Sequence, residues 1–403
     1  MTTALTIAEQ GFDVTLIERE NQLGGILRRL RYTFDELDIQ SYLERLTEEL
    51  LGHKHITVYT ESELVNVEGF VGNYMSTVRT KGGEEKIEHG AVIIATGGVE
   101  SKPQEYFYGR EERVLTQLEL EDLLSRDESM AGVKSIVMIQ CVGSREEEHM
   151  YCSRVCCSTA VKNALKIKEL SPETEVYVLY RDIRTYVFNE QYFQSARDKG
   201  IIFVRYEADN KPKVTGRDKL KLTVREPLLD CELVLEPDLI VLSSRIDPDS
   251  DNEKLAQLLK VPVNEDRFFL EAHVKLRPVE FATEGVFVAG IAHSPKSMPE
   301  TIAQAKVAAS KACIIISQDK FEGEARIAKV DINRCSACGI CTEVCAYKAV
   351  EVILVDERLG TKAAFINPAL CKGCGTCCAI CHPGAIDVEG ISNLQIDLMI
   401  KAI

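Results

Sequence analysis

Eight cysteines near the C-terminal end fall into two runs of the same spacing. Cys335, Cys338, Cys341 and Cys345 read C-x2-C-x2-C-x3-C, and Cys371, Cys374, Cys377 and Cys381 repeat the run. Thiolates at this spacing suit iron–sulfur cubanes. Three close cysteines wrap one cluster, and the fourth is carried away on the next helix to reach the other cluster. The spacing predicts one [4Fe–4S] cluster on Cys335, Cys338, Cys341 and Cys381. A second is expected on Cys371, Cys374, Cys377 and Cys345. Gly339, Gly373 and Gly375 allow the tight turns this needs. A zinc reading would need two separate tetrahedral sites. The residue after the fourth cysteine of such runs is usually proline. Here it is Ala346, and Pro383 stands one place late, after His382. A local change of loop shape is expected there, with ligation kept. Cys378 reads as a small buried hydrophobe.

A second group of cysteines has no such general pattern. Cys141, Cys152, Cys156 and Cys157 lie close in sequence. Cys152 and Cys156 are four apart, which places them on one face if a helix spans both. A helix N-terminus near Ser153–Thr159 would favour anionic thiolates. Spacing alone leaves three readings open: a third cluster, a redox-active thiol pair, or structural zinc or plain buried cysteine. Cys231 and Cys313 stand alone and are expected in the core.

Three further segments suggest a dinucleotide-binding flavin domain. Residues 2–10 have the small-residue character of a helix packed on a sheet. Asp13–Glu20 then reads as a strand ending in an acid. In such a fold that acid accepts hydrogen bonds from a ribose, which makes Glu18 the candidate; the alternative is a solvated carboxylate. Gly24 and Gly25 follow in a loop. Ala91–Gly98 is an apolar strand ending in a turn at Ala95, Thr96 and Gly97. Gly285–Gly290 is another strand, and Pro299–Ser317 a helix with proline near its first turn. Its N-terminus, near Gly290 and Pro299, would favour a reduced, anionic flavin. The Gly-x-Gly-x-x-Gly turn that cradles a pyrophosphate would fall just before residue 1. As read, the first strand and that turn are missing.

Lys134–Gln140 and Glu175–Tyr180 are strands flanking a helix at about 158–170, a second unit of the same kind. Its turn reads Cys141-Val-Gly-Ser-Arg and lacks the glycine loop expected of a nicotinamide site. The chain is therefore divided into a flavin domain (1–130 and 246–322), an insertion (131–245) and a ferredoxin-like domain (323–403). Asp319–Arg326 is the expected linker. The overall class is α/β, a thioredoxin-reductase-like fold with two dinucleotide-binding domains, fused to an α+β unit for two clusters. Glu111–Glu112, Glu119–Asp122 and Glu146–Glu148 read as solvated faces.

Bulk properties narrow the function classes. A formal net charge of −15 over 403 residues repels phosphate backbones, so nucleic acid is not an expected partner. No apolar run reaches the length of a membrane span, and residues 1–10 lack a secretory pattern. Fifteen cysteines without an export signal read as metal ligands in a reducing compartment, so the cytoplasm is the expected location.

The runs CVGSREEEHMYCSRVCC, YRDIRTY at 180–186 and AHSPKSMPETIAQA at 292–305, followed by two ferredoxin runs, resemble the A subunit of heterodisulfide reductase. The resemblance covers essentially the whole chain. It implies FAD, a [4Fe–4S] cluster on Cys141, Cys152, Cys156 and Cys157, and ferredoxin-type clusters. It implies an electron-transfer component whose flavin is a site of electron bifurcation. Implied partners are other subunits of that complex, a hydrogenase or formate dehydrogenase, and ferredoxin. By the same matching Lys296 is a candidate flavin contact, where the plain reading is a solvated loop lysine. The family's cluster-bearing N-terminal extension is not found. Relatives also serve quinone-interacting and aromatic-ring-reducing complexes, so the terminal acceptor stays open. Two other functions remain: an NAD(P)H-dependent reductase of ferredoxin-type clusters, and a non-catalytic relay or scaffold with an incomplete flavin site.

Overall fold

The computed structural model describes residues 1–126, 130, 132–216, 219–228, 230–320, 326–356 and 358–402. The chain starts with α1 (Thr2–Ala8), β1 (Val14–Ile17), α2 (Ile39–Gly52) and β2 (Ile56–Tyr59). β1 and β2 are parallel, with Val14 beside Ile56. Asp38 caps α2 by accepting from the N–H groups of Gln40 and Ser41. An antiparallel meander follows, β3 (Glu63–Phe70), β4 (Asn73–Thr80) and β5 (Gly83–His89). β6 (Val92–Ile94) then turns at residues 95–97 into β7 (Gly98–Glu100).

The second unit contains β8 (Val114–Thr116), α3 (Gln117–Leu124), β9 (Ser135–Val142), α4 (Cys156–Leu170), β10 (Glu175–Tyr180), α5 (Glu190–Asp198) and β11 (Ile202–Arg205). It continues with the antiparallel β12 (Lys213–Thr215), β13 (Lys221–Glu226) and β14 (Cys231–Leu235), then β15 (Leu239–Ser244). Five strands form a parallel sheet in the order β11-β10-β9-β15-β8. The apolar run of β9 suits a parallel strand covered on both faces. Ile136 and Met138 enter one core, Val137 and Ile139 the other. The sheet reaches back past the expected boundary at residue 131, because Val114 of β8 pairs with Ile240 of β15.

The chain then returns to its first part through β16 (Ile246–Pro248), α6 (Asn252–Leu259), β17 (Val286–Val288) and α7 (Met298–Ile316). β16 pairs with β7, and β17 lies parallel to β6. Ser297 and Glu300 form a capping box at the start of α7, with Pro299 in its first turn. Ala305, Ala308, Ala309 and Ala312 of α7 share a core with Ile7 of α1. Their small side chains let the two helices approach closely. Among the described residues, β1–β2 and β6–β17 remain separate pairs.

The C-terminal part holds β18 (Ala328–Val330), α8 (Ile340–Val344), β19 (Val350–Asp356), β20 (Thr361–Ile366), α9 (Thr376–Ala379), β21 (Ile386–Val388) and α10 (Asn393–Lys401). β18 pairs with β21 and β19 with β20, both antiparallel. Its core is small and includes Cys341, Cys371 and Cys377. Residues 321–325 of the expected linker lie outside the described residues. Lys372 and Glu284, 2.7 Å apart, tie this part to the stretch before β17.

Two expectations about burial fail. Glu121, expected on a solvated face, is wholly buried. It accepts from Lys162 Nζ at 2.7 Å and from the Arg31 N–H at 2.6 Å. Cys231, expected in the core, is exposed on β14, an edge strand. Cys313 is half-buried against the α1–α7 core. Among the described residues no helix is long and apolar enough to cross a membrane.

Candidate functional site

The two C-terminal cysteine runs are built alike. Gly339 and Gly375 stand at the N-caps of α8 and α9 with φ of 80° and 78°, in the left-handed region that glycine enters without strain. Each short helix carries a buried cysteine in its first turn, Cys341 and Cys377. The fourth cysteine of each run is held the same way. The Ala349 N–H donates to Cys345 Sγ at 3.3 Å, and the Ala385 N–H to Cys381 Sγ at 3.2 Å. Before each alanine stands a left-handed residue, Lys348 (φ 51°) and Gly384 (φ 60°). The two runs, with Ala346 in one and the displaced Pro383 in the other, share the same turn. The turn is set by the left-handed residue three places after the cysteine, and a proline in between is not needed for it.

Backbone N–H groups also reach the first cysteines. Ala364 donates to Cys335 Sγ at 3.4 Å and Ala328 to Cys371 Sγ at 3.3 Å. Such donors stabilise thiolate sulfur. Cys338 and Cys374 are exposed, and local hydrogen bonds, from the Ile340 N–H and from Thr376 respectively, lower their pKa values. Burial raises Cys341; burial and the neighbouring Cys378 push Cys377 up to about 12. Cys378 is itself only half-buried. One cavity is lined by Cys335, Cys338, Cys341 and Cys381, which brings three thiols of the first run to the last thiol of the second.

The other four cysteines meet at the carboxyl end of β9. Cys141 is buried with φ 61°, and Cys156 and Cys157 open α4. Cys152 lies before the helix, so the expected shared face with Cys156 does not exist. Arg154, left-handed at φ 59°, breaks the helical path between them. The four thiols do stand near one another. The proton on Cys156 is held by its hydrogen bond with Cys157 and by burial, with Cys141 and Cys152 adding repulsion to a second anion. Cys157 falls to about 7, first through its bond with Cys156, then through Arg184 and Arg145. Gln140, the residue before Cys141, is wholly buried, and both its amide nitrogen and oxygen lack partners; Ser244 Oγ lacks one too. Buried unpaired amides are costly. Among the described residues, no three His, Cys, Asp or Glu side chains converge tightly enough to hold a single ion. Cubane ligands stand further apart than that.

The expected flavin residues sit where a ligand binds an open α/β sheet, beyond the carboxyl ends of parallel strands. Glu18 follows β1, and its carboxylate accepts from the Glu20 N–H at 2.9 Å. Gly24 (φ 109°) and Gly25 (φ 50°) turn the loop after it. Ala95, Thr96 and Gly97 follow β6, and Gly290 follows β17, side by side because the Ala289 N–H donates to Ile94 O. Pro299 is exposed on the first turn of α7. Lys296 is not a solvated lysine. It is buried, and Nζ donates to Gly290 O at 2.7 Å and Ser294 O at 2.8 Å. Burial and then Arg154 pull its pKa down to about 8.

Several residues that sequence reasoning missed hold this region together. Asn252 Oδ1 accepts from Thr96 Oγ1 at 2.8 Å. Asp249 takes Arg19 in two hydrogen bonds of 2.8 and 3.0 Å, fixing the end of β1. Gln304 Oε1 accepts from the Gly290 N–H at 2.9 Å. His293 pairs with Glu271 at 2.8 Å, while burial lowers its pKa. Each lies far in sequence from the group it holds, except Gln304 and Glu271, so no local pattern marks it.

The fold is that of thioredoxin-reductase-like flavoproteins with two dinucleotide-binding domains. The Lactococcus lactis thioredoxin reductase superposes with a TM-score of 0.54 at 16% identity, over 78% of this chain and 95% of the other. The bacillithiol disulfide reductase Bdr from Bacillus cereus gives 0.50 at 14%, over 79% and 95%. No family model matches the sequence. Among curated proteins, the iron–sulfur A subunit of the CoB–CoM heterodisulfide reductase of Methanocaldococcus jannaschii is 30% identical over 88% of this chain and 68% of its own length. Copy 1 of the same subunit from Methanopyrus kandleri is 31% identical over 88% and 68%. The A subunit of the H2/formate:CoB–CoM heterodisulfide, ferredoxin reductase of Methanococcus maripaludis is 30% identical over 86% and 67%. This chain belongs to the family of heterodisulfide reductase iron–sulfur A subunits, which are components of oxidoreductases.

Proposed function

We propose that this chain is the electron-transfer iron–sulfur flavoprotein subunit of a heterodisulfide-reductase-type complex in the cytoplasm. The observation that carries the reading is the cavity at the C-terminal end, which gathers Cys335, Cys338, Cys341 and Cys381 from two distant runs. Crossed ligation of this kind is what two-cluster ferredoxins use. Cys371, Cys374, Cys377 and Cys345 hold the second cluster, and Cys141, Cys152, Cys156 and Cys157 a third. Arg145 and Arg184, close to those thiols, favour their anionic form. Glu18 takes the ribose of FAD, and Gly24, Gly25, Ala95, Thr96, Gly97, Gly290 and Pro299 shape the site. Lys296 holds a proton-bearing ammonium at the head of α7, where it would contact the flavin ring. Bound FAD joins two-electron to one-electron chemistry, and the clusters pass single electrons.

The names of the relatives support partners of the same kind: other subunits of the complex, a hydrogenase or formate dehydrogenase, and ferredoxin. The reading extends to electron bifurcation at the flavin. The direct test is the absorption spectrum of anaerobically purified protein before and after denaturation. Released FAD and a broad iron–sulfur band are expected. Protein without flavin would overturn this reading and leave a relay or scaffold.

One observation favours a second reading, a NAD(P)H-dependent reductase. A cavity of about 680 Å³, lined by Arg145, Glu146, Arg181, Asp209 and Lys211 among others, opens beyond the carboxyl ends of β9, β10 and β11. Against it, Arg181 and Lys211 are both committed to Glu146, at 3.3 and 2.5 Å. Rapid bleaching by NADH or NADPH alone would establish this second reading; no bleaching is expected.

A further inference from the structure

Arg154 belongs to the cysteine loop, yet its side chain leaves it. The Arg154 N–H donates to Cys152 Sγ at 3.3 Å. The guanidinium reaches the head of α7. Nη2 donates to Glu300 Oε1 at 2.7 Å and Nη1 to Pro295 O at 3.4 Å. Nη2 also meets the Tyr186 hydroxyl at 2.9 Å, and the guanidinium lies 5.5 Å from that ring's centre. Glu300 divides its oxygens: Oε2 closes the capping box with Ser297, leaving Oε1 for Arg154. Pro295 and Glu300 flank Lys296, so one arginine grips both sides of that lysine's segment. The grip is held against backbone strain, because the left-handed region is unfavourable for an arginine. Such conformations persist only where their surroundings enforce them.

We propose that Arg154 is a positioning residue that fixes the 141–157 cysteine centre against the head of α7. We further propose that this grip, by holding the Arg154 N–H on Cys152 Sγ, raises the reduction potential of that centre. The inference rests on the reading that those cysteines hold a cluster and that α7 heads the flavin site. Hydrogen bonds to cluster sulfur help set the potential, and a loop released from its grip gives up the Arg154 N–H on Cys152 Sγ. The arginine's planar fork serves three acceptors at once, which a lysine ammonium cannot reproduce with the same geometry. The loop has other fastenings. Tyr151 Oη donates to Ile246 O at 2.8 Å, and the Ile246 N–H donates to Ser153 Oγ at 3.0 Å. Loss of Arg154 therefore leaves the loop attached.

The test is a redox titration followed by electron paramagnetic resonance on the whole, anaerobically purified protein, with iron counted in each variant. For Arg154→Gln the third centre's midpoint should move to a more negative potential while the two C-terminal centres stay put. Iron should stay at about twelve per chain. Arg154→Lys should recover part of the shift. An unmoved midpoint in Arg154→Gln overturns the proposal. So does a full shift in Arg154→Lys, or iron loss in both variants, which would reduce Arg154 to a structural part. Wild-type protein with about eight irons would overturn the underlying reading, and the inference with it.

Discussion

Under the proposed reading, the two cysteine regions meet the same chemical demand by different means. In 335–381 each run brings its own turn: a left-handed glycine before a short helix, then a left-handed residue that aims an N–H at the last sulfur. The geometry is local and used twice. In 141–157 no local repeat exists. Cys141 comes from a strand end, Cys152 from a loop, and Cys156 and Cys157 from a helix start. What gathers them is the parallel sheet and the way α4 is pinned to it. The first region should therefore fail when its own turns or thiols are changed, and the second when its distant supports are.

The largest effect is expected from the thiols of the crossed set. Cys341→Ser and Cys381→Ser should remove the same cluster, about four irons each, although the residues come from different runs. Because ligand binding is folding energy in so small a core, the C-terminal part should also melt at lower temperature. Iron counts and spectra showing two different clusters lost would break the crossed assignment.

Next comes a support of the second region. Lys162 of α4 pairs with the buried Glu121 of α3 at 2.7 Å. Glu121→Ala strands that charge and should cost about 3–5 kcal/mol in a denaturant melt. It should strip iron from the 141–157 centre and spare the C-terminal pair. Equal loss from both regions would erase the contrast between them.

The neighbourhood of the second region should also respond to alkali. Lys296 has a folded pKa of about 8, below its unfolded value of 10.5. Below pH 8 both states are protonated, and the cost of the buried charge is felt in full. As pH rises from 8 to 10.5 the unfolded state binds the extra proton, so stability rises. Relative to Lys296→Met, the wild type should gain up to about 3 kcal/mol across that window. Melts at pH 8 and 10.5 on both proteins check it; a constant difference would refute it.

The smallest effect is at a single turn. A Cβ on Gly375 meets no atom within 4 Å, so Gly375→Ala should cost only the left-handed backbone, about 1–2 kcal/mol. Thermal melts of the C-terminal transition measure that directly.

The same contrast explains what the sequence made legible. The C-terminal turns were readable because a spacing and two glycines encode them within a few residues. The strands β9 and β10 and the helix α7 were readable from apolar runs and a proline near a helix start. The path of Cys152 was not, since a non-glycine residue, Arg154, takes the left-handed conformation there. Glu121 looked like a surface acid because its partner Lys162 lies on another helix. Lys296 looked solvated because its acceptors are backbone carbonyls, which no residue type announces. β8 went unread, because a three-residue strand has too little pattern to show itself or which sheet it joins.

Metal analysis of anaerobically purified wild-type protein bears most directly on the idea that thiolates from three places in this chain grip iron cubanes. Iron and acid-labile sulfide should each come to about twelve per chain, with three reducible paramagnetic centres. Zinc in their place, with neither iron nor sulfide, would contradict it.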